Sequence, residues 1–285
     1  MSSSTRSSPA IPPSKTPPTI GVFDSGFGGL TVLRALINRM PQTRFAFLGD
    51  TARLPYGSKS RRTIAKYAAE SARFLVHEQG AEFLVIACNT ASALALDAIQ
   101  EAVSVPVLGV IEPGASSARQ ESRTGDVLVI ATDATVQSHA YAAACRAQGL
   151  RVLEKACPLL VPLVEEGWID HPVTNEVIRI YLDELNAAAA AQGLNPDVLV
   201  LGCTHYPLLR PLIEQAVPEG TRVIDSAEAV AEAALRLFGQ LGTENLSPVA
   251  LVRCFATDSV EKFERLGSRF LGRPVGNVQL VDLGG

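Results

Sequence analysis

Short apolar segments rich in β-forming residues alternate with longer segments of helical periodicity from Thr19 onward. In the first such pair, residues 20–23 are apolar, and Leu30, Leu33, Leu36 and Ile37 then recur at helical spacing. The other predicted strands are residues 45–48, 83–87, 105–110, 127–131, 151–153, 198–201 and 222–224, and the other predicted helices are residues 63–79, 91–103, 134–148, 175–190, 208–216 and 227–241. Continuous apolar strands between helices indicate parallel sheets that are covered on both faces. The predicted fold class is therefore α/β.

Two segments of the chain resemble each other and sharpen the domain count. Residues 82–90 and 197–205 each contain an acidic residue, an apolar strand, and then a cysteine followed by two polar residues. The two cysteines, Cys88 and Cys203, are 115 positions apart, and 285 residues at ~150 per domain already suggest two domains. Because ligands bind beyond the carboxyl ends of parallel strands, we expect each half to place one cysteine at such an edge. The alternative is that strands of α/β proteins resemble one another and that cysteine simply packs well.

The composition excludes several classes of function. Hydrophobic residues make up 47% of the chain and charged residues 19%, which supports a packed core and not general disorder. The net charge is −4 and aromatic residues are 6%, which argues against a dedicated binder of nucleic acid or of an anionic membrane. No segment reaches the ~18 consecutive apolar residues of a membrane-spanning helix. A small molecule is therefore the expected partner.

The cysteine content and the first residues predict the compartment. Five cysteines are too few and too scattered for a disulfide scaffold, and their odd number leaves at least one thiol unpaired. This usage indicates a reducing environment. Residues 1–17 are rich in Ser, Pro and Thr and lack the apolar segment of a secretory signal, so a disordered leader is predicted. Together these features predict a cytoplasmic location.

Cys88 and Cys203 are the first candidates for chemistry. A thiol has an unperturbed pKa of ~8.5, and a position at a helix N-terminus lowers that pKa. Thiol and thiolate are then both accessible, which suits proton transfer as well as nucleophilic attack. The other three cysteines, Cys145, Cys157 and Cys254, lie in a helical pattern, before a proline and in an apolar strand, and we interpret them as structural.

A glycine-rich segment, residues 24–29 (DSGFGG), follows the first strand and opens a helix. Its glycines permit close approach of the backbone, and a helix start favours an anion. The spacing differs from the dinucleotide fingerprint G-x-G-x-x-G, so the segment is not interpreted as a dinucleotide site. Asp24 is a candidate partner for an ammonium group or for a reacting thiol. The alternative is that Asp24 only caps the helix.

The remaining candidates are polar side chains near the strand ends. His205 is the only one of the four histidines that adjoins a candidate cysteine, and Glu165 is either a site acid or a solvated helix end. Five short polar side chains also lie at predicted strand ends, namely Asn89, Thr90, Thr132, Thr135 and Thr204. They could orient a ligand that carries a carboxylate and an ammonium group, or they could cap helices instead. A zinc site of Cys88, Cys203 and His205 is a competing interpretation. The chain has no C-x-x-C or H-x-x-x-H spacing, so no metal is predicted.

Six short motifs occur in one order along the chain. They are residues 21–31 (GVFDSGFGGLT), 55–57 (PYG), 87–92 (ACNTAS), 109–113 (GVIEP), 201–207 (LGCTHYP) and 224–226 (IDS). With these motifs the chain resembles the glutamate racemases of the cofactor-independent Asp/Glu racemase superfamily. The resemblance implies two pseudo-symmetric α/β domains with the active site at their interface. It places residues 18–112 and 226–285 in the first domain and residues 113–225 in the second.

The resemblance also implies roles for individual residues. The implied acid/base thiols are Cys88 and Cys203, the groups that tune them are Asp24 and His205, and Glu165 matches an acid near the second cysteine. The implied substrate contacts are Asp24, Ser25, Tyr56, Gly57, Asn89, Thr90, Thr135, Thr204 and His205. In residues 132–135 (TDAT), Ala134 stands where the family commonly has glycine. Thr135 is therefore carried over as a substrate contact, and Thr132 is not.

The implied activity is the interconversion of L- and D-glutamate, which supplies D-glutamate for peptidoglycan synthesis in the cell wall. Inversion at Cα requires one proton to leave and another to arrive on the opposite face, so two groups must face each other across the substrate. The hypothesis is that one thiolate removes the α-proton while the opposite thiol supplies a proton. The resemblance implies no cofactor, pyridoxal phosphate included. Family members often dimerise, which implies a homodimer.

Three alternatives remain on the sequence alone. A related racemase of aspartate or of another small substrate would share these motifs. A non-enzymatic thiol redox or metal-binding module would also use cysteines that meet in space. The third alternative is binding to another protein, since some glutamate racemases inhibit DNA gyrase. The acidic composition neither supports nor excludes such a role.

Overall fold

The computed structural model describes residues 18–238 and 250–284. The strands in these ranges are β1 (Thr19–Asp24), β2 (Arg44–Gly49), β3 (Phe83–Ile86), β4 (Val107–Gly109), β5 (Asp126–Ala131), β6 (Arg151–Ala156), β7 (Val198–Gly202), β8 (Arg222–Asp225), β9 (Leu251–Ala256) and β10 (Val278–Leu280). The α-helices are α1 (Leu30–Arg39), α2 (Arg61–Arg73), α3 (Asn89–Leu94), α4 (Leu96–Ala102), α5 (Ile111–Glu121), α6 (Asp133–Ser138), α7 (Ala140–Ala147), α8 (Leu160–Glu165), α9 (Pro172–Ala191), α10 (Arg210–Ala216), α11 (Ala227–Phe238) and α12 (Val260–Leu271). The predicted leader, residues 1–17, lies outside the described residues.

The strands form two sheets. One has six strands in the order β10-β9-β2-β1-β3-β4, and the other has four in the order β6-β5-β7-β8. Every strand pair in both sheets is parallel. The central strands β1 and β5 are buried along their whole length, because helices cover both faces of each sheet. This finding confirms the predicted α/β class with mainly parallel sheets.

Several predicted helices are interrupted in the structure. The segment predicted as one helix over residues 91–103 is α3 and α4, which are separated at Ala95. The segment predicted over residues 134–148 is α6 and α7, which are separated at His139 in the left-handed region (φ 53°). Apolar spacing continues across both breaks, so periodicity does not reveal them. The helix predicted over residues 227–241 is described as far as Phe238, and its last three positions lie outside the described ranges.

The two sheets come from different parts of the chain. The six-stranded sheet uses residues 19–109 and 251–280, and the four-stranded sheet uses residues 126–225. One apolar cluster joins them, since it contains Leu30 and Phe47 from the first part and Leu128 and Leu201 from the second. In the described residues, no helix is both long enough and apolar enough to cross a membrane.

Candidate active site

A cavity of about 600 Å³ lies at the carboxyl ends of strands from both sheets. Its wall is formed by segments that follow β1, β2 and β3 of the six-stranded sheet and β5, β6 and β7 of the four-stranded sheet. The lining residues are Ser25, Gly26, Leu54, Pro55, Tyr56, Gly57, Ser58, Cys88, Asn89, Thr90, Thr132, Asp133, Pro158, Val161, Pro162, Glu165, Glu166, Cys203, Thr204 and His205. This is the position at which open parallel sheets bind ligands. A small molecule of amino-acid size fits a cavity of this volume.

The two candidate cysteines reach this cavity from different sheets. Cys88 lies two residues beyond β3 and caps the N-terminus of α3, where its Sγ accepts a hydrogen bond from the Ala91 amide at 3.4 Å. Cys203 directly follows β7. Their residues are 5% and 6% exposed, and both line the cavity. The repeat found in the sequence therefore corresponds to two thiols that border one space.

The surroundings of Cys88 favour its protonated form. Burial, together with the nearby carboxylate of Asp24, raises the pKa of the Cys88 thiol to about 12. The Ser25 hydroxyl at 3.4 Å and the Ala91 amide act in the opposite direction, but they do not outweigh burial. The expectation that a helix start lowers the pKa of this thiol is therefore wrong for Cys88. Desolvation exceeds the effect of a helix that is only six residues long.

Cys203 is paired with a charged group. Its Sγ lies 4.0 Å from Nδ1 of His205, and Nε2 of the same ring lies 3.3 Å from Oε1 of Glu165. Burial disfavours the imidazolium, but the hydrogen bonds and electrostatic interactions of His205 with Cys203 and Glu165 prevail and raise the pKa of His205 to about 10. Oε2 of Glu165 lies 3.3 Å from Nζ of Lys262 on α12. Burial raises the Glu165 pKa, and these two cationic neighbours together lower it below its usual range.

Asp24 lies behind the cavity wall. Its residue is fully buried, and Oδ2 accepts a hydrogen bond from the Gly26 amide at 3.0 Å. Oδ1 is buried and has no hydrogen-bond partner within the part of the chain that the structure describes. Burial raises the pKa of Asp24, and the positive charge of His205 opposes that effect. Asp24 therefore acts on the site through its charge, and the structure does not place it among the residues that line the cavity.

Three threonine hydroxyls meet where the two halves of the wall join. Oγ1 of Thr90 lies 3.0 Å from Oγ1 of Thr132 and 3.2 Å from Oγ1 of Thr135, and the last two are 2.8 Å apart. Thr132 lines the cavity, whereas Thr135 is fully buried behind it. Thr135, which was carried over as a substrate contact, is thus the more distant of these two threonines from the cavity. The position of Thr132 directly after β5 is the signal that would have selected it.

At two glycines, the backbone of the part with the six-stranded sheet closely approaches side chains of the part with the four-stranded sheet. A Cβ on Gly57 would lie 2.9 Å from Cβ of Thr132, and a Cβ on Gly28 would lie 2.7 Å from Nδ1 of His205 and would also overlap Oγ1 of Thr204. Side chains larger than hydrogen would therefore separate these segments. The predicted candidates Ser25, Tyr56, Gly57, Asn89, Thr90, Thr204, His205 and Glu165 all line the cavity with the two cysteines.

Sequence reasoning missed the apolar part of the wall. Leu54, Pro158, Val161 and Pro162 line the cavity. Pro158 follows β6 within two residues, so the rule that ligands bind beyond strand ends pointed to this segment. Nothing in the chemistry of these side chains distinguishes them from core residues. In residues 18–238 and 250–284, no three His, Cys, Asp or Glu side chains are grouped as ligands of a metal ion.

Two parallel α/β sheets that each contribute a cysteine to one cavity define the class of protein. The chain belongs to the Asp/Glu/hydantoin racemase family, whose sequence profile matches residues 29–234. This finding confirms the resemblance and the predicted enzyme class, a racemase.

The similar proteins carry a more specific name. The glutamate racemase of Koribacter versatilis is 51% identical, over 95% of this chain and 100% of the relative. The crystal structure of glutamate racemase from Francisella tularensis in complex with D-glutamate has a TM-score of 0.83 and 35% identity, covering 93% of this chain and 98% of that one. The crystal structure of the Thermus thermophilus glutamate racemase in complex with beta-chloro-D-alanine has a TM-score of 0.79 and 43% identity, covering 94% and 98% of the two chains.

Proposed function

We propose that this protein is a glutamate racemase that interconverts L- and D-glutamate by proton transfer between two cysteines and Cα. The observation that carries the proposal is that Cys88 and Cys203, from different sheets, line the same cavity. An inversion needs acid/base groups on two sides of the substrate, and the two sheets supply them. The relatives named glutamate racemase support the choice of substrate.

In the proposed reaction, the thiolate of one cysteine takes the α-proton, and the electron pair of the broken C–H bond stays on the substrate. The thiol of the other cysteine then gives its proton to the opposite face of Cα, where that electron pair forms the new bond. The first cysteine ends as a thiol and the second as a thiolate. Exchange of a proton with water restores the starting state. The reverse direction exchanges the two roles.

The two thiols have different charged neighbours in this proposal. Cys88, with its pKa raised to about 12, holds its proton and serves as the acid in the direction in which Cys203 takes the α-proton. His205, with a pKa near 10, is protonated at neutral pH and lies where it can stabilise a Cys203 thiolate at 4.0 Å. Asp24 raises the pKa of Cys88 and stabilises the charge of His205. Glu165 holds the ring from its other nitrogen.

The substrate is held by polar groups of the wall in this proposal. The direct contacts are Ser25, Tyr56, Gly57, Asn89, Thr90, Thr204 and His205, which all line the cavity. Hydroxyl and amide donors of Ser25, Asn89 and Thr90 stabilise the negative charge that develops as the α-proton leaves. Asp24 and Thr135 lie behind this layer, so their effect on substrate passes through their neighbours.

The remaining parts of the proposal follow from the same assignment. We place one domain boundary between residues 112 and 113, within α5 and between β4 and β5. The other lies between residues 225 and 226, directly after β8. D-glutamate would serve peptidoglycan synthesis in the cytoplasm, and the protein would be a homodimer. Analytical ultracentrifugation tests the dimer, and complementation of a bacterial strain that requires D-glutamate tests the cellular role.

The decisive experiment compares Cys88→Ala and Cys203→Ala in deuterium oxide, starting from each enantiomer without added cofactor. Circular dichroism follows racemisation, and NMR follows deuterium at Cα. Each substitution is expected to reduce racemisation in both directions by ~10²- to 10⁴-fold, because general acid/base groups contribute about that much. Cys145→Ala is the matched control, since Cys145 is buried in α7 and does not line the cavity. Racemisation at the wild-type rate in either cavity variant would refute the two-cysteine mechanism.

Two other functions are tested alongside. Rates on D-aspartate decide whether the substrate is aspartate instead, in which case kcat/KM for aspartate would exceed that for glutamate. Metal analysis with thiol titration tests a metal-binding or redox module. One equivalent of zinc in active protein would contradict proton transfer by free thiols.

A further inference from the structure

A group of charged and polar side chains is joined by hydrogen bonds to the Tyr56 hydroxyl, and apart from Tyr56 its members do not line the cavity. We call it the Asp50 network; its members are Asp50, Arg53, Tyr56, Glu70 and Thr257. Asp50 directly follows β2 and is fully buried. A carboxylate in such a place is costly unless donors surround it. Its partners therefore show what it holds in position.

Four hydrogen bonds converge on the Asp50 carboxylate. The Tyr56 hydroxyl donates to Oδ2 at 2.5 Å, and Thr257 Oγ1 donates to Oδ1 at 3.0 Å. Nε of Arg53 lies 2.9 Å from Oδ1 and 2.8 Å from Oδ2. The carboxylate thus joins the segment after β2 to the residue that follows β9.

Arg53 anchors the same group to α2. One of its terminal nitrogens, Nη1, donates to Oε2 of Glu70 at 2.6 Å, and the guanidinium lies 4.3 Å from the ring centre of Tyr67. Arg53 is itself largely buried, so solvent screens these interactions little. The Asp50 network is therefore anchored at three places, which are the end of β2, the residue after β9, and α2.

Tyr56 is the member of the network that also lines the cavity. Its neighbours in the chain, Leu54, Pro55, Gly57 and Ser58, line the cavity as well, and Gly57 faces Thr132 of the other half of the wall. Burial and the adjacent Asp50 charge raise the pKa of the Tyr56 hydroxyl well above its usual range, so it keeps its proton. The Tyr56 hydroxyl donates its hydrogen bond to the carboxylate of Asp50. The Tyr56 hydroxyl is therefore an anchor and is not a proton donor to the cavity.

We propose that Asp50 is a positioning residue that, through Tyr56 and Arg53, holds residues 54–58 as the wall of the substrate site opposite Thr132. The proposal rests on the proposed function, because its kinetic consequence concerns glutamate. Asp50 lies outside the cavity, so it affects binding of substrate and not the proton transfers at Cys88 and Cys203. Loss of the network is expected to raise KM for D-glutamate far more than it lowers kcat.

The kinetic test uses Asp50→Asn, Tyr56→Phe and the double variant. Asp50→Asn keeps the side-chain shape but removes the charge, and is expected to raise KM about tenfold with kcat within about threefold. Tyr56→Phe keeps the ring and the charge of Asp50, so it is expected to fold and to raise KM about fivefold. Asp50→Asn weakens the hydrogen bond from the Tyr56 hydroxyl by removing the charge of its acceptor, and Tyr56→Phe removes the same bond. The loss in the double variant is therefore expected to be smaller than the sum of the two single losses. Additive effects, or a loss confined to kcat, would overturn the proposal.

Asp126→Asn is the matched control. Asp126 is also a buried carboxylate that binds an arginine through two hydrogen bonds, to Nε and Nη2 of Arg151 at 2.6 and 2.5 Å. It lies at the start of β5, about 16 Å along the strand from the cavity end. Asp126→Asn is expected to lower the unfolding midpoint without changing KM. If Asp50→Asn likewise changes only the midpoint, Asp50 is structural and the proposal is wrong.

A second readout needs no substrate. Amide hydrogen exchange by mass spectrometry is expected to accelerate at least fivefold in residues 54–59 of Asp50→Asn and to stay unchanged there in Asp126→Asn. Unchanged exchange in this segment of Asp50→Asn would overturn the proposal. If the wild-type protein does not racemise glutamate, the proposed function fails, and the exchange comparison alone then decides whether Asp50 holds the segment.

Discussion

Glu165 and His205 form a hydrogen-bonded pair in the cavity wall, with Oε1 of Glu165 lying 3.3 Å from Nε2 of His205. The other ring nitrogen faces Sγ of Cys203 at 4.0 Å, so the imidazole lies between a carboxylate and a thiol. Both neighbours stabilise the protonated ring against the opposing effect of burial. The charge state of His205 therefore depends on a residue that does not itself touch the cysteine.

The first prediction concerns the pH profile of Glu165→Gln. Removing this carboxylate lowers the pKa of His205, because the hydrogen bond and charge of Glu165 raise it. The basic limb of the kcat/KM profile for D-glutamate is expected to move to lower pH, with a ~10-fold loss of kcat/KM at pH 9. Glu154→Gln is the control, since Glu154 also pairs with a histidine, His139, at 3.2 Å but does not line the cavity. A basic limb that stays in place in Glu165→Gln would contradict the assignment.

The second prediction concerns stability as a function of pH. The folded-state pKa of His205, about 10, lies above the unfolded value of ~6.5, so the pair contributes stability that is fully present below pH ~6.5 and is lost as the pH rises towards 10. The difference in free energy of unfolding between the wild type and Glu165→Gln is expected to be larger at pH 6 than at pH 9.5. Urea denaturation at both pH values measures it. An equal difference at both would show that His205 is not charged in the folded protein.

The third prediction concerns the close approach at Gly28. A Cβ there would lie 2.7 Å from Nδ1 of His205 and would overlap Oγ1 of Thr204. Gly28→Ala is expected to displace both residues, lower the unfolding midpoint and reduce kcat/KM by at least tenfold, as the site geometry is altered. At Gly26 in the same segment, the nearest atom to an added Cβ is 3.7 Å away, so Gly26→Ala is expected to leave the midpoint unchanged. Equal midpoints for the two variants would refute the steric argument.

The sequence predicted the parts of this molecule that depend on local pattern. The alternation of strands and helices predicted parallel sheets. The position of Cys88 and Cys203 just beyond two strands predicted that each half of the chain would place one cysteine at a ligand-binding edge. The structure places both thiols at the cavity. Strand-end position is readable because parallel strands bring their carboxyl ends together.

The sequence did not predict features that depend on long-range contacts. The Asp50 network joins residues 50 and 257, which no local pattern links. Asp24 was expected to touch the substrate, but it is fully buried and is not among the residues that line the cavity. The raised pKa of Cys88 depends on burial, which exceeds the effect of the helix start that the sequence does show.

The final prediction concerns Tyr141, which links the two halves of the cavity wall. Tyr141 lies on α7 beside the four-stranded sheet, and its hydroxyl donates to Oδ1 of Asn89, the residue after Cys88, at 2.7 Å. Both residues are buried. Gly202 leaves room for the ring, since a Cβ there would lie 3.0 Å from it. The hydrogen bond therefore holds the Asn89 side chain, which lies in the half with the six-stranded sheet, from a helix of the other half.

Tyr141→Phe leaves Oδ1 of Asn89 buried without a donor, which is expected to cost about 1–3 kcal/mol in the free energy of unfolding. Because Asn89 adjoins Cys88 and lines the cavity, kcat/KM for D-glutamate is expected to fall about tenfold. Tyr206→Phe is the comparison, since the buried Tyr206 hydroxyl donates at 3.0 Å to the Cys157 carbonyl, within the half that carries the four-stranded sheet. Urea denaturation is expected to give similar losses for the two variants, and kinetics a larger loss for Tyr141→Phe. Equal kinetic losses would show that the bond to Asn89 has no special part in the site.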